Sequence, residues 1–276
     1  MSATLETNGQ SGRLAGRTAI VTGGGTGIGA AAARRLAAEG VAVVLVGRRS
    51  GPVEEVAELI GGKTLAVAAD AASADDMELV VATARARFGK VDILVANAGG
   101  HGAGTAADVT DGAWAKSLRS NMSTCLVSAR ACLPDLVTTR GSIVVVSSIA
   151  GLAASPESVG YVSAKHGLIG LARSMARDFG PQGVRVNVVC PGWVRTPMAD
   201  AEMDQLQQLR GLADREAAYA LATSQVPLRR PADAAEVAAV VAFLASSDAS
   251  AVTGAVLTVD CGATAVDLPT TAYDLA

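Results

Sequence analysis

Apolar and β-branched residues gather in seven short runs: TAIVT (18–22), VAVVLV (41–46), TLAVAA (64–69), VDILVA (91–96), SIVVVS (142–147), VRVNVV (184–189) and AVLTVD (255–260). Most of them show no alternation of apolar and polar positions, as befits strands covered on both faces. Helical segments lie between, among them GIGAAAARRLAAEG (27–40) and DDMELVVATARARFG (75–89). Both close on glycine, a helix stop signal. Strand and helix in alternation predict an α/β fold, a doubly wound, mostly parallel seven-stranded sheet with right-handed crossovers and helices on both faces. No internal repeat and no Pro/Gly/Ser-rich linker interrupts residues 14–264, which read as one domain.

One segment departs from the rhythm. Residues 197–227, PMADAEMDQLQQLRGLADREAAYALATSQVP, are polar and helical with no strand among them. An insertion of this length between a strand and the next helix is expected to serve as a lid over a site, the alternative being a helical pair packed on the body. Residues 1–13 are polar, lack the apolar stretch of a secretion signal and read as a flexible tail; residues 265–276 read as a second tail.

Composition narrows the function classes. Half of the 276 residues are hydrophobic but only 3% are aromatic, so the core is expected to be built from Ala, Val, Leu and Ile. A net charge of −3 without a dense Lys/Arg run argues against a nucleic-acid partner. No apolar stretch reaches the ~18 residues of a membrane span. Cys125, Cys132, Cys190 and Cys261 form no CxxC pair and sit mostly in apolar surroundings, so neither a metal site nor a disulfide is expected, and the chain reads as cytoplasmic.

The densest chemical signal is VTGGGTGIGA (21–30), where Gly23, Gly24, Gly25, Gly27 and Gly29 fall between the first strand and an Ala-rich helix. At such a junction the free N–H groups of a helix start, together with the positive end of its dipole, favour a phosphate. The spacing is Gly23-x-x-x-Gly27-x-Gly29, wider than GxGxxG, in the place where a Rossmann-type sheet holds a dinucleotide. NAD-binding chains carry an acidic residue about 20 residues further on; here the second strand ends in Gly47-Arg48-Arg49. An arginine pair suits the 2′-phosphate of NADP, since a guanidinium clamps phosphate with two parallel hydrogen bonds.

Tyr161 and Lys165, in YVSAKHG, are four apart and share one helix face. A neighbouring ammonium is expected to lower the tyrosine pKa and fit it for proton exchange with an alcohol or ketone. Ser148 stands at the end of the fifth run, where ligands of open α/β sheets bind, and could hold a carbonyl oxygen; Ser147 is expected to point the other way.

With TGGGTGIG, Asp70 after the third run, ANAG after the fourth, Asn121, Ser148, YVSAK and PGWVRT in this order, the chain resembles the short-chain dehydrogenase/reductase family over roughly residues 16–262. The resemblance implies a Ser148/Tyr161/Lys165 triad with Asn121 as a fourth member. Tyr161 would exchange the proton, Lys165 would tune it and hold the nicotinamide ribose, Ser148 would orient the substrate oxygen, and Asn121 would anchor a water in a proton relay. It implies cofactor contacts at Gly23, Thr26, Gly27, Ile28, Gly29, Arg48, Arg49, Asp70, Ala71, Asn97, Ala98, Gly99, Tyr161, Lys165, Pro191, Gly192, Val194 and Thr196. A homotetramer or homodimer and a small carbonyl or alcohol substrate are implied as well.

Two positions depart from the family pattern, Ala96 for the first asparagine of NNAG and Cys261 for the middle glycine of DGG; the second is expected to matter for packing only. The reading is an NADP-dependent oxidoreductase interconverting ketone and secondary alcohol, with a 3-oxoacyl thioester as one candidate substrate. The alternatives are an NAD-dependent alcohol or diol dehydrogenase and, from another class, a cofactor-sensing protein without turnover. His101 and Arg195 are candidate substrate contacts, with solvent and Asp200 as their respective bland partners.

Overall fold

The computed structural model describes residues 13–273, so the first twelve residues of the expected N-terminal tail and the last three of the C-terminal one lie outside the described residues. The apolar runs form β1 (Thr18–Thr22), β2 (Ala42–Gly47), β3 (Thr64–Ala68), β4 (Ile93–Ala96), β5 (Ser142–Val146), β6 (Arg185–Pro191) and, closing the sheet, β9 (Val256–Val259). A separate two-residue pair, β7 (Val194–Arg195) with β8 (Ala232–Asp233), was not foreseen from the sequence. The large sheet has seven strands in the order β3-β2-β1-β4-β5-β6-β9, and every pairing in it is parallel.

Side chains of successive strand residues point to opposite faces, and both faces are covered. Ile20 of β1 joins one apolar cluster with Val44, Leu94 and Ile143; its neighbours Ala19 and Val21 join the other with Val43, Ile93 and Val144. The first face carries α3 (Ala74–Phe88), α5 (Thr124–Thr139) and α6 (Val159–Phe179). The second carries α1 (Gly27–Ala38), α2 (Ser50–Ile60) and α9 (Ala234–Ala245). Each fully buried Leu, Ile or Val contributes about 1.5–3 kcal/mol, and these double-faced strands hold most of them. The scarcity of aromatics has a structural counterpart, since α1 and α9 pack on each other and both bury small residues in the same cluster, Ala30, Ala32 and Ala33 from one and Ala238, Ala242 and Ala245 from the other.

The order of the strands reverses between β1 and β4, and a crevice opens beyond their carboxyl ends at such a switch point. The loops after β1 and β4 meet there. On the chain from β4 to β5, α4 (Asp111–Leu118) runs into a single π-helical turn, Arg119–Ser123, before α5. The insertion 197–227 is a helical pair, α7 (Pro197–Arg210) and α8 (Arg215–Ala222), with a small core of its own from Ala199, Met203, Ala218 and Tyr219. Past β9 the chain forms short 3₁₀ turns at Ala263–Ala265 and Leu268–Tyr273. No helix among the described residues is long and apolar enough to cross a membrane.

Candidate active site

The glycine loop needs its glycines. Gly23 (φ +64°) and Gly27 (φ +53°) occupy the left-handed region, and a Cβ on Gly23 would lie 2.8 Å from Asn97 Nδ2. Thr26 caps α1 by backbone shape alone, with no side-chain hydrogen bond to the first turn and no acidic residue there. The N–H groups of Gly27, Ile28 and Gly29 therefore start a helix whose positive end is uncapped, a cradle that fits a phosphate. The loop is tied to β4: Asn97 Nδ2 donates to Thr22 O (3.0 Å) and Gly23 O (3.2 Å), and Thr22 Oγ1 accepts from Asn97 N and Ala98 N, both at 3.1 Å. Sequence reasoning missed Thr22; the signal was its place at the end of β1, beside a loop whose N–H groups need acceptors.

Arg48 and Arg49 follow β2 and are exposed. Beside them, Asp70 Oδ1 accepts from Ala72 N (3.0 Å) and Oδ2 from Arg119 Nη1 (2.8 Å). Burial pushes the Asp70 carboxyl up, but the Ala72 N–H, the Arg119 guanidinium and the charge of Arg48 outweigh it and hold it below its usual range. Arg119 is a second residue the sequence did not single out; it arrives from 49 residues away in the chain. Ala71, next to Asp70, is buried.

At the carboxyl end of β5 the two serines diverge as expected. Ser147 Oγ turns inward and donates to Lys165 O (2.9 Å), whereas Ser148 Oγ accepts from Ala150 N (3.1 Å) at the start of a 3₁₀ turn. Tyr161 and Lys165 lie one turn apart on α6, with Lys165 Nζ 5.4 Å from the centre of the Tyr161 ring. Lys165 is 5% exposed, and Nζ donates to Val146 O at 3.1 Å. Asn121 sits in the π turn, where its Nδ2 donates to Gly100 O and Ser117 O, both at 2.9 Å, and its Oδ1 accepts from Gly100 N at 3.2 Å. Thr124 supports that turn, its hydroxyl lying 2.9 Å from Asn121 O and 3.1 Å from Ala98 O. A Cβ on Gly99 would stand 2.9 Å from Asn121 Oδ1 and 3.5 Å from Lys165 Nζ, so a bare backbone keeps open the gap both side chains face.

The electrostatics of this cluster differ from the expected picture. Burial pushes the Tyr161 phenol up, the hydrogen bond with Ser148 pulls it down, and the negative charge of Glu202 adds to the rise; the net result lies above the usual value, not below it. Lys165 suffers from the same desolvation, and its ammonium is pushed down to about 8. At neutral pH the phenol holds its proton firmly.

The strand-end loop after β6 completes the ring. Pro191 ends β6, Gly192 N donates to Val259 O (3.1 Å), and Val194 is buried in β7. Thr196 caps α7 through its side chain, which accepts from Ala199 N, and a Cβ on Gly27 would lie 3.1 Å from its methyl. The stretch after PG thus abuts the glycine loop. Arg195 does not pair with Asp200: its guanidinium grips Glu216 with two bonds of 2.7 Å and lies 4.8 Å from the centre of the Tyr219 ring, while Asp200 accepts from Tyr219 Oη at 2.8 Å. His101, instead of being merely solvated, meets Glu202 of α7 at 3.2 Å. A cavity of about 560 Å³ lined by Arg34, Val41, Leu59 and Lys63 lies near the start of β2 and β3, away from this cluster.

A parallel α/β sheet with an uncapped glycine turn at its switch point and a Ser, Tyr and Lys gathered at the strand ends makes a nucleotide-binding enzyme site of the doubly wound class. A family sequence model described as "Enoyl-(Acyl carrier protein) reductase" matches residues 23–264. Protein MoaE of Klebsiella aerogenes is 44% identical over 93% of this chain and 99% of its own, and meso-2,3-butanediol dehydrogenase of Serratia marcescens 35% identical over 92% and 97%. The crystal structure of an actinorhodin polyketide ketoreductase with NADPH superposes with a TM-score of 0.85 at 30% identity, covering 92% of this chain and 98% of that one. The chain belongs to the short-chain dehydrogenase/reductase family.

Proposed function

We propose that the chain is an NADP-dependent reductase that converts a ketone to a secondary alcohol, with Tyr161 as proton donor. The observation that carries this reading is the convergence of Ser148, Tyr161 and Lys165 at the strand ends beside the open glycine cradle. When bound, the nicotinamide ring supplies or takes the hydride. Gly23, Thr26, Gly27, Ile28 and Gly29 would hold the pyrophosphate through backbone N–H groups. Asp70 and Ala71 would border the adenine, Asn97, Ala98 and Gly99 the adenosine ribose, and Pro191, Gly192, Val194 and Thr196 the carboxamide.

Ser148 orients the carbonyl oxygen toward the phenol. Tyr161 then delivers its proton to that oxygen, and its high pKa keeps the proton available at neutral pH. The Lys165 ammonium, 5.4 Å from the ring centre, stabilises the phenolate left behind, and Asn121, across the Gly99 gap, would anchor a water that returns a proton from solvent once Lys165 has given its own to the phenolate.

NADP is preferred because Gly47, at the end of β2, offers no carboxylate to a ribose hydroxyl, and Arg48 follows it with an exposed guanidinium near Asp70. The NADPH in the ketoreductase neighbour supports the same choice. A second reading, NAD-linked oxidation of an alcohol or diol, draws on the butanediol dehydrogenase relative. Comparing kcat/KM with NADPH and NADH separates them. A guanidinium–phosphate contact is worth about 1.5–3 kcal/mol, so Arg48→Asp should cut efficiency with NADPH by roughly 10- to 100-fold and spare NADH. Equal efficiency of the two cofactors in the unaltered protein would overturn the NADP assignment.

A further inference from the structure

Two side chains outside the proposed reaction set converge on its mouth. His101 lies in the loop after β4 and Glu202 on α7, and Nε2 stands 3.2 Å from a carboxylate oxygen. The imidazole is 6.1 Å from the Tyr161 ring, and the Glu202 charge is near enough to raise the phenol. Both supports are firm. Asn121 clamps Gly100 from both sides of its peptide, Gly102 is packed so tightly on Ser117 that a Cβ would collide with its hydroxyl, and α7 is anchored by the Thr196 cap and buried Met203.

As a stability device such a half-exposed pair contributes little. Its surroundings suggest another use. Four cations around the site are committed: Arg195 to Glu216, Arg215 to Asp204 and Asp200, Arg119 to Asp70, and Lys165 to Val146 O. An anionic substrate group arriving beside Tyr161 would meet the Glu202 carboxylate, with these four cations already engaged elsewhere. A donor group would find a half-buried acceptor already oriented by His101, and a desolvated acceptor left unpaired is costly.

We propose that Glu202, oriented by His101, is a specificity determinant that accepts a hydrogen bond from a second donor group of the substrate, a hydroxyl or an ammonium, beyond the reacting carbonyl. Substrates with carboxylate or phosphate at that place are disfavoured. The inference rests on the reductase reading above and adds the substrate class to it.

The test uses four ketones alike except for one terminal group: methyl, hydroxyl, ammonium and carboxylate. The expected order of kcat/KM puts the two donor-bearing ketones at least about tenfold above methyl, as a charge-assisted bond implies, and carboxylate last. Whichever of hydroxyl and ammonium ranks first identifies the natural donor. Glu202→Gln should erase most of the ammonium advantage, chiefly through KM, and Glu202→Lys should lift carboxylate above ammonium. That reversal is a gain a merely structural residue would not confer; NADPH binding and a cooperative unfolding transition verify folding. If the order is the same in the unaltered protein and both variants, the specificity role is refuted while the reductase reading stands. If the unaltered protein reduces none of the four with either cofactor, the reductase reading falls, and the inference with it.

Discussion

Replacing Lys165 by methionine should make the protein more stable and inactive at once. Lys165 is 5% exposed, its ammonium donates to Val146 O, and no carboxylate among the described residues pairs with it. The two thiols nearest it electrostatically, Cys125 and Cys190, are themselves pushed up by burial and stay neutral, the first to about 12. Desolvation takes Lys165 from the usual 10.5 to about 8; at ~1.4 kcal/mol per pH unit, the charged form costs the fold roughly 3 kcal/mol.

Below pH 8 both folded and unfolded chains carry the proton and the whole cost is felt. Between about 8 and 10.5 the folded protein releases it while the unfolded chain keeps it, so stability rises with pH. Methionine fills a similar volume without charge. Losing the bond to Val146 O takes back about 1 kcal/mol, leaving a gain of ~2 kcal/mol at pH 7, or about 4–8 °C in Tm. Urea unfolding of both proteins at pH 7 and pH 10, at one protein concentration, reads this directly. The gain should shrink to about zero at pH 10. A methionine variant less stable at pH 7, or a difference that ignores pH, would refute the uncompensated buried charge.

Two further outcomes follow from the same geometry. Cys261 holds φ +55°, where a Cβ is strained, so Cys261→Gly should stabilise by about 0.5–1 kcal/mol in thermal unfolding; a loss of stability would mean that thiol packing outweighs backbone strain. Oxidation of an alcohol needs the Tyr161 proton removed first, so its kcat/KM should keep climbing past pH 9, and a plateau reached below pH 8 would contradict the raised phenol.

The layout of the sheet was legible because double-faced strands leave unbroken apolar runs, and six of the seven ladder strands start within a residue of theirs; β4 starts at Ile93, two residues into VDILVA. β6 runs two residues further than its run, through Cys190 and Pro191, because β9 pairs with it there. The glycine turn, Ser148, Tyr161 and Lys165 stood out through local spacing.

What was not legible depends on partners distant in the chain. No propensity marks the π turn at Asn121, and nothing local tells that Arg195 meets Glu216, that Arg119 reaches Asp70, or that His101 finds Glu202. The direction of the Tyr161 pKa was misjudged for the same reason: spacing reveals the neighbouring ammonium but neither the depth of burial nor the charge of Glu202, which raise the phenol. Cys261 hid its strain, since a backbone angle leaves no trace in composition.

The central claim is that the Tyr161 phenol supplies the proton during carbonyl reduction. Single-turnover oxidation of bound NADPH in Tyr161→Phe, with a ketone that the unaltered protein reduces, tests it most directly. Loss of a positioned general acid predicts a rate lower by about 10²–10⁴-fold, with NADPH still bound and the fold intact; an undiminished rate would contradict it.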